Sequence, residues 1–245
     1  MTEYDASTYG ERIADVYDAW PTVPGDSEAA VACLAELAGR GPVLELGIGT
    51  GRLALPLAAR GLAVQGIDAS PAMVAKLRAK PGGAGIPVAM GDFADVPVDG
   101  RFALIFVAFN TFFALLSQDA QVRCFAAVAA RLAEGGVFVI QAFAPDLARY
   151  DRGQRVGVVA VDSARTLLET SVHDPVAQRV QSLQITLSDQ GVRTYPVEIR
   201  YAWPSELDLM ARLAGLSLRH RWGGWDRQPF TADSRIHVSV YARVA

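Results

Sequence analysis

Short apolar runs alternate with amphipathic stretches through the first 143 residues. Residues 43–46 (V-L-E-L), 62–67 (L-A-V-Q-G-I), 86–90, 102–109 (F-A-L-I-F-V-A-F) and 137–143 read as strands. The fourth is apolar throughout, as expected of a strand covered on both faces. Helical spacing fills the intervals at 52–59, 72–79 and 118–132, with Pro56 weakening the first and Glu134-Gly135-Gly136 closing the third. Strand, crossover helix, strand forces a parallel sheet with right-handed connections. Two helices are expected ahead of it. One spans 6–19 and ends at Trp20-Pro21, where proline disfavours helix in the residue before it; the other spans 26–37, with Asp26 or Ser27 as N-cap and Gly39 after its end.

From Tyr150 the period changes. Residues 154–161, 166–173, 180–188 and 192–201 alternate or are β-branched, and Asp162-Ser163, Asp174-Pro175 and Gln190-Gly191 separate them. This predicts a four-strand antiparallel meander. A helix at 204–213 and strands at 216–221 and 237–244 follow, so the meander is an insertion within one α/β unit and not a domain of its own. The expected organisation is one domain, 1–245, with a helical cap at 1–40 and a β insertion or lid at 152–202.

Composition narrows the classes of function. With 51% hydrophobic and 20% charged residues the chain is globular, and a net charge of −3 with no basic run argues against a nucleic-acid partner. No apolar run approaches a membrane span and no apolar stretch opens the chain, so membrane insertion and export are not expected and a cytoplasmic location is. Cys33 and Cys124 sit on apolar helix faces without metal-ligand or redox spacing, and no metal site is expected.

The candidate chemistry gathers at the strand ends. Glu45 leads into Gly47, Gly49 and Gly51 on alternate positions, a pattern needed where the backbone takes positive φ or a ligand approaches it closely. Asp68, Asp92 and Asn110 end the second, third and fourth strands, so four strand ends carry a polar group along the carboxyl rim, where such sheets bind ligands.

E-L-G-I-G-T-G, G-I-D, G-D-F and the helix-strand-strand finish together resemble the class I S-adenosylmethionine-dependent methyltransferases, and the insertion is similar to that of natural-product methyltransferases acting on small molecules. The resemblance implies a Rossmann-like, seven-stranded, mostly parallel sheet with its last strand antiparallel, helices on both faces and the β-meander after the fifth strand. It implies S-adenosyl-L-methionine as cofactor and methyl transfer to nitrogen or oxygen of a small-molecule acceptor. It assigns Glu45, Gly47, Gly49 and Gly51 to the methionine end, Asp68 and Ala69 to the ribose, Asp92 and Phe93 to the adenine, and Phe109 and Asn110 to the place where methyl and acceptor meet.

The acceptor side is less legible. Tyr9, Tyr17 and Trp20 could face a sulfonium as aromatic surfaces, with Tyr17 the cofactor-binding candidate. His173, at an insertion turn, and Asn110 are the catalytic candidates; Asn110, Phe113, Trp203, Trp222 and Arg227 are those for acceptor binding. A homodimer through the insertion is a further expectation. Two other readings stay open at this point. One is an NAD(P)-dependent oxidoreductase, since Asp68 lies near the spacing a dinucleotide fold requires, although G-x-G-x-G is not G-x-G-x-x-G. The other is a binder that keeps the cofactor fold without methylating.

Overall fold

The computed structural model describes residues 4–21 and 25–244; the outermost residues of the expected domain, 1–3 and 245, and residues 22–24 between the two leading helices lie outside the described residues. Strands β1 (Val43–Leu46), β2 (Val64–Asp68), β3 (Val88–Met90), β4 (Phe102–Val107), β5 (Leu132–Phe143), β10 (Leu216–Trp222) and β11 (Ile236–Arg243) form one sheet in the order β10-β11-β5-β4-β1-β2-β3. β11 runs antiparallel to both neighbours and the remaining pairs are parallel. The strand order reverses between β1 and β4, the place where a doubly wound sheet opens a crevice at its carboxyl rim.

Strand alternation divides the core between the two faces. Val43, Leu104, Phe106 and Val139 meet helices α2 (Ser27–Ala38) and α3 (Ala54–Ala59) on one side. Leu44, Leu46, Ile105, Phe138 and Ile140 meet α5 (Gln118–Arg131) and α6 (Pro204–Leu213) on the other. β5 begins earlier than the glycines suggest, at Leu132. It absorbs Glu134–Gly136 as an irregular stretch, with Gly135 at φ 69° and the β4–β5 register shifting between Phe102 and Leu104.

The insertion is a separate sheet of β6 (Gln154–Val161), β7 (Arg165–Asp174), β8 (Arg179–Ser188) and β9 (Gly191–Arg200), ordered β6-β7-β8-β9 and antiparallel throughout. A buried polar knot anchors it. The Arg200 guanidinium donates to Gln121 Oε1 at 2.6 Å, Gln178 Oε1 at 2.9 Å and Glu206 Oε1 at 2.8 Å, joining β9 to α5 and α6.

The expected leading helix is broken in two. α1 covers only Thr8–Ile13, begun by Asp5, whose carboxylate accepts from the Ser7 and Thr8 N–H groups; a 3-10 turn follows at Tyr17–Ala19. The break lets Ile13 and Trp20 face inward together while Asp15 and Asp18 reach out to Lys76 and Lys80 at 2.8 and 2.7 Å. A single straight helix over this length could not serve both demands. Trp20 packs edge-on against Tyr195 of β9 at 4.7 Å, so the insertion rests on the prefix.

Candidate active site

The glycine loop is left-handed at each glycine: Gly47 has φ 74°, Gly49 56° and Gly51 81°, values that L side chains rarely adopt. Its N–H groups turn back on β2. Gly47 and Ile48 donate to the Ile67 carbonyl at 2.8 and 3.0 Å, and Gly49 donates to Asp68 Oδ2 at 2.7 Å. Asp68 Oδ1 accepts from Ser70 N at 2.8 Å, so one carboxylate ties the loop to the start of α4 (Pro71–Ala79). The cap of α4 is Ser70, whose hydroxyl accepts from Met73 N at 3.1 Å. Burial raises the Asp68 carboxyl above its usual range, against the lowering pull of these N–H donors.

Above the loop lies a cavity of about 120 Å³, floored by Gly47, Gly49, Asp68, Ala69, Asp92 and Phe93 and roofed by Tyr4, Tyr9 and Tyr17 of the prefix. Two clasps hold the roof down. Glu11 Oε1 accepts from the Ser70 hydroxyl at 2.7 Å and Ala72 N at 2.9 Å. Asp18 Oδ1 accepts the Thr50 hydroxyl at 2.6 Å, and the Lys80 ammonium bridges Asp18 and the Thr50 carbonyl at 2.7 and 2.9 Å. Gly10 lets α1 come this close, since a Cβ there would meet the Ser70 side chain at 2.5 Å. Burial pushes the Tyr9 and Tyr17 hydroxyls up, which keeps both neutral.

The residues present fit an adenosyl cofactor with a charged amino acid end. Glu45 is buried just before the loop and is not among the residues lining the cavity; its Oε2 has no partner among the described residues. Burial raises its pKa well above the carboxylate range, with the nearby Arg52 pulling the other way, and a cationic ligand group would relieve that cost. A Cβ on Gly49 would meet nothing, so that side of the loop stands open to the cavity. Asp68 keeps a lone pair on each oxygen for a diol, and Asp92 Oδ1 caps the next turn through Ala94 N at 2.8 Å.

The cavity gathers Tyr17, Gly47, Gly49, Asp68, Ala69, Asp92 and Phe93 from the sequence-derived set. Gly51 is placed elsewhere: a Cβ there would strike Leu77 at 2.4 Å, so its smallness serves the packing of α4 on the loop. Phe109, at φ 54°, is half-buried at the end of β4 with the Arg52 guanidinium over its ring at 5.8 Å. Asn110 is committed to structure. At φ 65° its Oδ1 accepts from Phe143 N at 2.7 Å, which locks the ends of β4 and β5 together.

Four acceptor-side expectations need correction. Phe113 is fully buried, packed on Phe143 at 5.0 Å, and is core. Trp222 and Arg227 lie on the α2 side of the sheet, because alternation along β10 sends Arg221 to Asp208 and Trp222 the other way; Arg227 stacks on Trp222 at 5.1 Å and pairs with Glu36 at 2.9 Å. His173 is not a turn residue. It is buried in β7, stacked on Tyr150 at 4.5 Å with Nε2 3.0 Å from the Tyr201 hydroxyl, and is not among the residues lining the adenosyl cavity. Trp203 alone of this group opens onto a cleft, a larger one at the β5 end of the rim. The clasp residues Glu11, Asp18, Thr50 and Lys80 were not singled out from sequence, because their pairing depends on how the prefix folds back.

Comparison with known proteins agrees with this geometry. Residues 43–136 match a family model described as a methyltransferase domain. The chain is 28% identical over 243 residues to the cypemycin N-terminal methyltransferase of a Streptomyces species, covering 98% of this chain and 99% of that one. Among solved structures, the CcbJ methyltransferase from Streptomyces caelestis superposes with a TM-score of 0.94 at 44% identity, covering 99% of this chain and 100% of that one. The S-adenosylmethionine-bound amino pentose methyltransferase CalS10 from Micromonospora echinaspora shares the fold, with a TM-score of 0.70 at 20% identity over 100% of this chain and 99% of that one. A chain that carries this loop and rim, and that is nearly half identical along its whole length to a methyltransferase, belongs to the S-adenosylmethionine-dependent methyltransferases.

Proposed function

We propose that this methyltransferase acts on an amine nitrogen of a small-molecule acceptor, with the cofactor held in the cavity under the prefix. In this reading Asp68 accepts the ribose hydroxyls, Ala69 lines the ribose, Asp92 and Phe93 meet the adenine, and Glu45 with Gly47 and Gly49 takes the methionine end. The observation that carries it is the buried, unpartnered Glu45 oxygen beside an open glycine loop. The cofactor, when bound, supplies an electrophilic methyl group on a sulfonium. The chain's residues bind it, orient it and exclude water under Tyr9 and Tyr17, which is where most of the acceleration of a displacement of this kind arises.

Nitrogen is preferred over oxygen because of what the cavity lacks. Of its carboxylates, Asp5 and Asp92 cap turns and Asp68 holds the loop, so among the described lining residues no carboxylate is without a structural partner. An amine needs only to arrive unprotonated. Similarity to the cypemycin N-terminal and amino pentose methyltransferases supports the same choice. The catalytic expectations at His173 and Asn110 are not carried into this proposal. The family match disfavours the nicotinamide reading.

Calorimetry with S-adenosylhomocysteine and with NAD, followed by methyl transfer from labelled cofactor to matched amines and phenols, tests the proposal. Binding of the first ligand alone, with label appearing on amines, is expected. Tight NAD binding, or label on phenols only, overturns it.

The remaining expectations are carried as proposals. The chain works as one domain in the cytoplasm, and no helix among the described residues is long and apolar enough to cross a membrane. It pairs through the outer face of the insertion, where Val156, Val158 and Val192 are between 64% and 75% exposed. Light scattering of wild type against a Val156→Ser/Val158→Ser variant reads that directly, with loss of the dimer expected.

A further inference from the structure

The half of the rim away from the adenosyl cavity holds a second cleft of about 1260 Å³, between the end of β5, the loop 223–235 and the insertion sheet. Four aromatic side chains, Tyr150, Tyr201, Trp203 and Phe230, line it in a wall that is otherwise largely polar, with Tyr201 and Trp203 edge to face at 6.4 Å. Phe143 lines it and packs on Phe113, whose neighbours in sequence, Thr111 and Ala114, line the adenosyl cavity. On the insertion side two guanidinium groups share one carboxylate oxygen. Arg155 Nη1 lies 2.9 Å and Arg149 Nη2 3.7 Å from Glu169 Oε1, which leaves one unit of positive charge facing the cleft. Arg221 is paired with Asp208 at 2.6 Å. The other charged lining residues, Asp146, Asp233 and Arg235, lie at the end of β5 and on the loop, so the positive charge is local to the insertion side.

We infer that this cleft binds the body of the acceptor, a molecule with a flat ring that stacks on the aromatic side chains and a carboxylate-like anion that seats beside Arg149 and Arg155. The inference rests on the methyl-transfer reading and adds to it the class of substrate. The cleft has room for an acceptor larger than a free small amine.

The test uses 1-anilinonaphthalene-8-sulfonate, whose fused rings and sulfonate match the aromatic wall and the two arginines. Its fluorescence titration is followed in the full chain and in Arg149→Gln, which keeps the Arg155–Glu169 pair, in Trp203→Leu and in the exposed control Val176→Ser. Saturable one-to-one binding weakened about tenfold in each of the first two variants, and unchanged in Val176→Ser, is expected. Binding unchanged in Arg149→Gln or in Trp203→Leu, or lost in Val176→Ser, overturns the assignment. S-adenosylhomocysteine calorimetry on the same samples reports folding and the cofactor site independently, so a failure here is distinct from a failure of the methyl-transfer reading.

Discussion

The Asp18 carboxylate accepts the Thr50 hydroxyl at 2.6 Å, across 32 residues of chain. The bond joins the prefix to the glycine loop, and Lys80 completes it from α4. Replacing Asp18 by Ala removes its bonds to both Thr50 and Lys80 at a half-exposed position. The expected result is a change in stability below about 1 kcal/mol with dissociation of S-adenosylhomocysteine accelerated about three- to tenfold, as read by stopped-flow. An unchanged off-rate would mean that the prefix does not gate the cavity.

Gly49 and Gly51 separate binding from folding. Gly49→Ala has room for its Cβ and meets only the left-handed backbone cost of about 1 kcal/mol, so it stays folded while its methyl group intrudes on the cofactor side. Gly51→Ala carries a similar backbone cost and also drives a Cβ into Leu77. Thermal melts and cofactor titration should therefore split: weak binding in a stable Gly49→Ala, and a markedly lower melting temperature in Gly51→Ala.

Glu45→Gln removes a carboxylate that the fold buries without a full set of partners. The ligand-free protein should melt higher than wild type, while affinity for S-adenosylhomocysteine falls by about 1–3 kcal/mol through loss of the charged acceptor. A more stable variant with undiminished affinity would remove Glu45 from the site.

The Arg200 knot is almost wholly buried, with Glu206 at its edge. Arg200→Ala strands Glu206, Gln121 and Gln178 without their donor, and should cost about 3–5 kcal/mol in denaturant unfolding. If the insertion frays alone, proteolysis will cut it before the main sheet unfolds.

His237 is fully buried and its Nε2 has no partner, and burial lowers its pKa to about 3. In the unfolded chain the ring takes a proton near pH 6.5, whereas in the fold it stays neutral. Stability should therefore be fully present above about pH 6.5 and fall, by up to about 1.4 kcal/mol per unit, as pH drops toward 3. In His237→Asn this portion of the slope should be absent from melts taken between pH 7 and pH 4.

The parallel sheet, the meander and the positions of the polar strand ends were legible in the chain, because periodicity and glycine geometry are local signals. Residues 204–213 appear as the expected helix, and Asp68 and Asp92 stand where the strand ends put them. Gly51 was misread because one sequence pattern serves both a ligand and a packing contact. Trp222 and Arg227 were misread because composition does not say which face of β10 looks at the cleft. The break after Ile13 and the clasp at Asp18 depend on contacts between segments far apart in sequence, and no window of the chain contains both partners.

Trp20 against Tyr195 has a kinetic meaning. The segment that roofs the adenosyl cavity also seats the insertion, so opening the roof is expected to disturb the insertion. Product-inhibition kinetics should then show a compulsory order of addition, with the donor first on and last off; random order would mean that the roof opens independently of the insertion.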